Sequence, residues 1–151
     1  MAKYWGGSNL AKHGPALAQH HAHHAIHEGA RSGAIQKTDE LVTLLKQGEI
    51  EAAKMAADDL IEYWQTRVIA HADTEESGFY QEMVKEKPEL KEAVIELARD
   101  HEILRILLRD IQQLIQEHGI TSDVMMKFHA LIAVNEIHSR EEEKTLFDDE
   151  R

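Results

Sequence analysis

Apolar residues recur at intervals of three or four positions along most of this chain. The clearest series follows the second proline and contains Leu97, Leu104, Leu108 and Ile111. This spacing places the apolar side chains on one face of an α-helix. The pattern predicts four helices, over about residues 15–47, 49–83, 88–118 and 122–147.

Helix-breaking and helix-capping residues separate these four segments. Gly48 and Gly119 are expected to end the first and third helices, because glycine readily adopts the left-handed conformation that closes a helix. Pro88 suits the first turn of the third helix, and Thr121 or Ser122 can cap the fourth. Short turns between long helices make neighbouring helices antiparallel. The sequence therefore predicts an all-α protein, an up-down-up-down antiparallel four-helix bundle.

Length and composition restrict the classes of function. A chain of 151 residues suits one domain, which we assign to residues 15–151 after an N-terminal arm at residues 1–14. The net charge of −11 disfavours binding to nucleic acid. The absence of cysteine excludes disulfides, thiolate zinc sites and iron–sulfur ligation. No segment resembles a signal peptide or a membrane span, so we expect a cytoplasmic protein with no membrane partner.

Histidine is unusually frequent, at 11 residues, and two short patterns that contain it each occur twice. One pattern is His-Glu-x-x-Arg, and the other is His-x-x-x-Glu-Glu followed by an aromatic residue. Residues four apart on a helix share a face, so the second pattern places an imidazole beside a carboxylate. The candidate metal ligands in these patterns are His27, His71, Glu75, His101, His138 and Glu142.

The spacing of four histidines places them at one level of the predicted bundle. In an antiparallel pair of helices, residues at the same level are equally far from the connecting turn. The midpoints of the His27–His71, His71–His101 and His101–His138 pairs are 49, 86 and 119.5. Each midpoint lies at a predicted turn, so one histidine from each helix is expected at a common level in the interior.

Four imidazoles and two carboxylates inside an apolar bundle require a compensating charge, because burying them unpaired is costly. Two histidines per ion and two carboxylates shared by both ions form the ligand set expected of a dinuclear iron or manganese centre. Zinc is disfavoured, since structural zinc sites close with four ligands. The alternatives are exposed i,i+4 pairs on helix surfaces and, for His101, a hydrogen-bonded core histidine.

The first predicted helix offers several further candidates, in the run His20, His21, His23, His24 and His27. The midpoint relation and the repeated His-Glu-x-x-Arg pattern both select His27. His23 lies one turn before His27 on the same face of the helix. In an alternative interpretation, His23 is an additional ligand or a proton shuttle. The other three are expected to be solvated or to bind metal weakly.

Four charged residues near these ligands are expected to play supporting roles. Glu76 and Glu143, which directly follow predicted ligands, are expected to support the ligands or to lie at the surface. Arg31 and Arg105 either pair with these carboxylates or lie on solvated helix faces.

The arrangement of one histidine on helices 1 and 3 and His-x-x-x-Glu on helices 2 and 4 resembles a hemerythrin-like, or HHE cation-binding, domain. The resemblance covers about residues 15–148. It implies a non-haem centre of two iron ions with an oxo or hydroxo bridge, in which Glu75 and Glu142 bridge the ions. The ligands that it implies are His27, His71, Glu75, His101, His138 and Glu142.

The chain departs from the oxygen-carrying hemerythrins at two positions. Those proteins have a second histidine on helix 3, where this chain has Arg105, and an aspartate five residues after the last histidine, where this chain has Glu142 at four. The symmetric set is more similar to HHE domains of proteins that repair iron centres or respond to nitric oxide or peroxide.

The resemblance implies a protein that binds or senses O2 or a related small oxidant, with a small diatomic molecule or peroxide as its ligand. The alternatives are a di-iron enzyme that acts on peroxide or nitric oxide, an iron-handling or iron-centre repair protein, and a metal-free structural bundle. A ferritin-type site is disfavoured because no Glu-x-x-His pair occurs. Both His-Glu-x-x patterns end in arginine, which excludes a His-Glu-x-x-His zinc protease.

Overall fold

A computed structural model describes residues 14–147 of the chain, with side chains from residue 20 onward. This part of the chain is helical apart from short connections, and it contains no strand. Its four long helices are α1 (Gly14–Lys46), α2 (residues 50–86), α3 (Lys91–His118) and α4 (Ser122–Leu146). The all-α prediction is therefore confirmed. The predicted N-terminal arm lies outside the described residues except for Gly14, which begins α1.

Two glycines end helices where the sequence indicated. Gly48 and Gly119 have φ values of 74° and 77°, in the left-handed region that glycine enters without a steric penalty from Cβ. Thr121 caps α4, because its hydroxyl oxygen accepts a hydrogen bond from the backbone N–H of Val124 at 3.4 Å. The helix ends thus follow from local sequence.

The break between α2 and α3 is shorter than predicted. α2 continues to Glu86, three residues past the expected end at Met83. A short 3-10 turn, Pro88–Leu90, precedes α3. Proline at the start of this turn agrees with its tolerance for positions that lack a hydrogen-bonded N–H.

α2 contains two π-helical segments that the sequence did not indicate. In chain order it consists of α-helix Ile50–Tyr63, π-helix Trp64–Ile69, α-helix Ala70–Thr74, π-helix Glu75–Phe79 and α-helix Tyr80–Glu86. A π-helical turn joins residues five apart instead of four, so it rotates the side chains that follow. Glu75 and Tyr80, which are five residues apart, are consequently both buried.

Two apolar clusters occupy the interior. The larger contains residues from all four helices, with Leu41, Trp64, Leu108 and Phe128 among its members. The smaller is built on Tyr80, Leu97 and Leu146. On α2, α3 and α4, the buried polar residues lie between the positions that contribute to these two clusters. The fold therefore encloses a polar layer between two apolar regions.

The four helices pack against one another around a shared core. α1 packs against α2 and α4, α3 packs against α4, and α2 contacts α3. At one close approach, Tyr63 donates its hydroxyl hydrogen to the carbonyl oxygens of Gly29 and Ala30, at 3.2 and 3.1 Å. Gly33 makes room for this ring, since a Cβ there would lie 2.0 Å from the Tyr63 oxygen. None of the described helices combines the length and apolar character needed to cross a bilayer.

Candidate metal centre

The structure brings all six predicted ligands into the polar layer. Glu75, His101, His138 and Glu142 are buried, and the Glu142 side chain is 0% exposed. His27 is mostly buried, with a side chain 11% exposed, and His71 is the most open, at 26%. The alternative of i,i+4 pairs on an exposed helix surface is therefore wrong for both His-x-x-x-Glu patterns.

Four of these residues form one compact donor group. One nitrogen or oxygen atom from each of Glu75, His101, His138 and Glu142 lies within 4.8 Å of the other three. The His101 Nε2 atom is 3.0 Å from His138 Nε2 and 3.3 Å from Glu75 Oε1. The His138 Nε2 atom is 3.6 Å from Glu142 Oε2. These donors, from α2, α3 and α4, surround a common point.

A second donor group lies on the other side of Glu75. It consists of His23, His71 and Glu75, again with donor atoms within 4.8 Å of one another. Glu75 Oε2 is 3.1 Å from His23 Nε2 and 3.3 Å from His71 Nε2. Glu75 thus directs one oxygen toward α3 and the other toward α1 and its own helix.

Glu142 has a corresponding two-sided position. Its Oε1 atom is 3.2 Å from His27 Nε2 on α1, and its Oε2 atom is 3.6 Å from His138 Nε2 on α4. Each carboxylate therefore has one oxygen near a histidine of α1 and the other near His101 or His138. His27 belongs to neither of the two groups of donors that lie within 4.8 Å of one another. This geometry allows each carboxylate to contact two cations at once.

The separations between donor atoms suit octahedral ligation. Neighbouring ligands of an octahedral ion with bonds near 2.1 Å lie about 3 Å apart. The three shortest contacts of Glu75 with imidazole nitrogens measure 3.1, 3.3 and 3.3 Å. The buried His/Glu cluster could therefore hold a metal ion.

Carboxylates outside the cluster fix the orientation of two imidazoles. His101 donates its Nδ1 hydrogen to Glu76 at 2.6 Å, and His138 donates its Nδ1 hydrogen to Asp100 at 3.0 Å. This directs both Nε2 atoms into the cluster, where they lie 3.0 Å apart. Carboxylate–histidine pairs of this kind commonly support metal ligands.

The two arginines near the cluster pair with different carboxylates. Arg105 donates to Glu76 at 2.9 Å and to Asp73 at 2.6 Å, as one of the sequence alternatives expected. Arg31 instead donates to Glu136 at 2.8 Å, on a part of α4 that the sequence analysis did not consider. Arg105 therefore supports the cluster through Glu76, whereas Arg31 pairs at the surface.

Several buried polar atoms in the cluster have no hydrogen-bond partner among residues 14–147. These atoms are His27 Nδ1, His71 Nε2 and Glu142 Oε1. Buried polar groups without a partner are rare, because each forfeits its interaction with water. Atoms of this type, on three predicted ligands in one cluster, fit a site that is completed by metal ions.

The electrostatics of the cluster favour charged carboxylates. Burial opposes ionisation of Glu75, but hydrogen bonds from His101 and His23 outweigh it and hold its pKa well below the usual range. Burial likewise opposes ionisation of Glu142, yet the neighbouring imidazoles of His138 and His27 lower its pKa. Burial would lower the pKa of His138, but the bond to Asp100 and the nearby Glu142 together outweigh it and raise the pKa to about 9. The layer therefore favours positive charge between two carboxylates.

Tyr80 is a site residue that the sequence analysis missed. Its ring stacks on His101, with centroids 5.7 Å apart, and its hydroxyl donates a hydrogen bond to Glu142 Oε2. Burial, followed by the nearby charge of Glu142, raises the pKa of Tyr80, so the hydroxyl keeps its proton and remains a donor. The π-helical turn that turns Tyr80 inward breaks the period on which sequence reasoning relied.

Asp100 was also missed, because nothing in the sequence distinguishes it from the other acidic residues beside His101. His21 and His24 on α1 agree with the expectation that they are solvated. His21 is exposed, and the His24 side chain is 60% exposed while its ring contacts Glu143 at 2.7 Å.

No model of a known protein family, no curated protein and no solved structure matches this chain. The interpretation of the cluster therefore depends on its residues and their geometry.

Proposed function

We propose that this chain is a hemerythrin-like protein that holds two iron ions and binds or senses O2 or a related small oxidant. The observation that carries the proposal is the two-sided position of Glu75 and Glu142 between two sets of histidines. Two carboxylates that each face two imidazole groups favour a pair of ions over a single ion.

The bundle arrangement in this proposal is up-down-up-down and antiparallel. Contacts between α1 and α4 support it, because they run in opposite directions along the two helices. The pairs His24–Glu143, His27–Glu142 and Arg31–Glu136 are 2.7, 3.2 and 2.8 Å apart. As the residue number rises on α1, it falls on α4. Such a bundle explains why one histidine per helix reaches the same layer.

Iron is the metal that we propose, with manganese as the alternative. The donors are imidazoles and carboxylates without thiolates, a set that suits iron and manganese. A pair of iron ions would supply an open coordination position and electrons for small oxidants. The protein's part is to hold the ions with Glu75 and Glu142 and to orient His101 and His138 through Glu76 and Asp100.

The space within the cluster is small. A cavity of about 20 Å³ is lined by five of the six predicted ligands, His27, His71, Glu75, His101 and His138. A water molecule needs roughly 10–15 Å³ of such volume, so this space suits ions and very small molecules. It favours a diatomic molecule or peroxide over an organic substrate.

A larger cleft between α1 and α4 provides a route toward this cavity. It has a volume of about 650 Å³, and His27 and Asn135 line both the cleft and the small cavity. A small molecule that enters the cleft can therefore approach the cluster on its His27 side.

Absorption spectroscopy of the iron-loaded protein tests the proposal. Iron(II) is added anaerobically, and O2, nitric oxide and peroxide are then supplied separately. We expect a stable new absorption band with at least one of them, without continued consumption of the ligand. The control is His129→Ala, because this exposed histidine bonds to the Met125 carbonyl of its own helix and its loss should leave the spectra unchanged.

Two other results have distinct meanings. Steady consumption of peroxide or nitric oxide would favour the enzyme alternative. An iron-loaded protein whose spectrum changes with none of the three would contradict oxidant binding.

A further inference from the structure

His23 is buried in the polar layer, although it lies outside the six ligands of the proposed centre. It is 8% exposed and lies one turn before His27 on α1. Two phenyl rings cover it, with centroids 5.0 Å away for Phe79 and 4.8 Å away for Phe147. Those two rings also stack on each other at 5.5 Å. The ring of His23 therefore contacts the two phenyl rings as well as Glu75.

His23 and His71 each direct a ring nitrogen toward the same oxygen atom of Glu75. Its Nε2 atom is 3.1 Å from Glu75 Oε2, and His71 Nε2 is 3.3 Å from that oxygen. The three donor atoms lie within 4.8 Å of one another. This triangle has the dimensions of three neighbouring ligands on one ion.

We propose that His23 is a seventh metal ligand, an inference that rests on the proposed function. The two ions then have unequal donor sets. One ion takes His23, His71 and Glu75 Oε2, which lie within 4.8 Å of one another, together with His27 and Glu142 Oε1, which are 3.2 Å apart. The other ion takes only His101 and His138 with the remaining oxygens.

Metal titration of two His23 variants tests the inference. His23→Gln retains an N–H that can donate to Glu75 but lacks an imidazole, whereas His23→Ala lacks both. We expect both variants to bind one iron(II) with wild-type affinity and the other at least about 100-fold more weakly, since loss of a supporting residue alone costs about 10–100-fold. His21→Ala, which alters an exposed histidine two positions away, should bind both ions normally.

The outcomes separate this inference from the proposed function. Two tightly bound ions in His23→Gln would show that His23 only donates a hydrogen bond to Glu75, and would overturn the inference. A wild-type protein that binds no pair of ions would instead contradict the proposed function.

A measurement on the unaltered chain covers the case in which both variants fail to fold. In wild-type protein loaded with diamagnetic zinc, the ¹⁵N resonance of His23 Nε2 should shift on metal binding while those of His21 stay in place. An unshifted His23 resonance beside shifted His71 and His101 resonances would refute the seventh ligand.

Discussion

Replacing Glu142 with glutamine should remove tight binding of both metal ions together. Glu142 is fully buried, and its two oxygens lie 3.2 Å from His27 and 3.6 Å from His138, on opposite sides of the layer. Glutamine preserves the size of the side chain but removes the negative charge that would offset both cations. Unbalanced buried charge costs about 3–5 kcal/mol, which corresponds to more than about a hundredfold in affinity.

The test of this prediction is the metal content of Glu142→Gln after iron loading and a chelator wash. Glu141→Gln is the matched control, because Glu141 is exposed on the same turn of α4. The control should retain both ions. A Glu142→Gln protein that keeps two ions would show that this carboxylate does not bridge them.

The melting temperature of the same variant, with and without iron, provides a second test. Metal that binds only the folded chain stabilises it, so wild-type protein should melt at a higher temperature with iron than without. In Glu142→Gln this iron-dependent increase should disappear. In the metal-free state the variant should also be less stable than wild type, because His138 loses a charged partner.

Replacing His27 with alanine should weaken the binding of one ion by at least about 100-fold, more than the loss of a residue that only supports a ligand. The His27 side chain is 11% exposed, its Nε2 atom is 3.2 Å from Glu142, and its Nδ1 atom has no hydrogen-bond partner in the described part of the chain. These features fit a metal ligand better than a hydrogen-bonded core histidine.

The control for His27→Ala is His21→Ala, on an exposed position of the same helix. Calorimetric titration with iron(II) under anaerobic conditions measures both affinities. If His27→Ala binds two ions as tightly as wild type does, then α1 contributes His23 alone to the centre.

The sequence predicted the helices well because their signals are local. Apolar periodicity marks four segments, and Gly48, Gly119 and Thr121 end or cap helices through their own backbone and side-chain chemistry. The level of the site was also predictable, since equal distances from the turns placed His71 and His101 together. They meet in the structure at Glu75, which lies 3.3 Å from each.

Other features depend on tertiary contacts that no local pattern encodes. The π-helical turn at Glu75–Phe79 changes the period within α2 and brings Tyr80 onto the cluster. His23 and His27 share a face of α1, so helical periodicity alone could not decide which of them reaches the site. The contact between His23 and Glu75 shows that His23 also lies in the cluster. The partner of Arg31 is set by how α1 packs on α4.

The most direct test of the central claim is the number of iron ions that the wild-type chain retains. The protein is loaded anaerobically with excess iron(II), washed with a chelator that removes metal held loosely by the exposed histidines of α1, and analysed for iron and protein. The account predicts two ions per chain in the wild type and fewer in His101→Ala, whose imidazole lies 3.0 Å from that of His138. One ion or none in the wild type, or two ions that persist in His101→Ala, would contradict it.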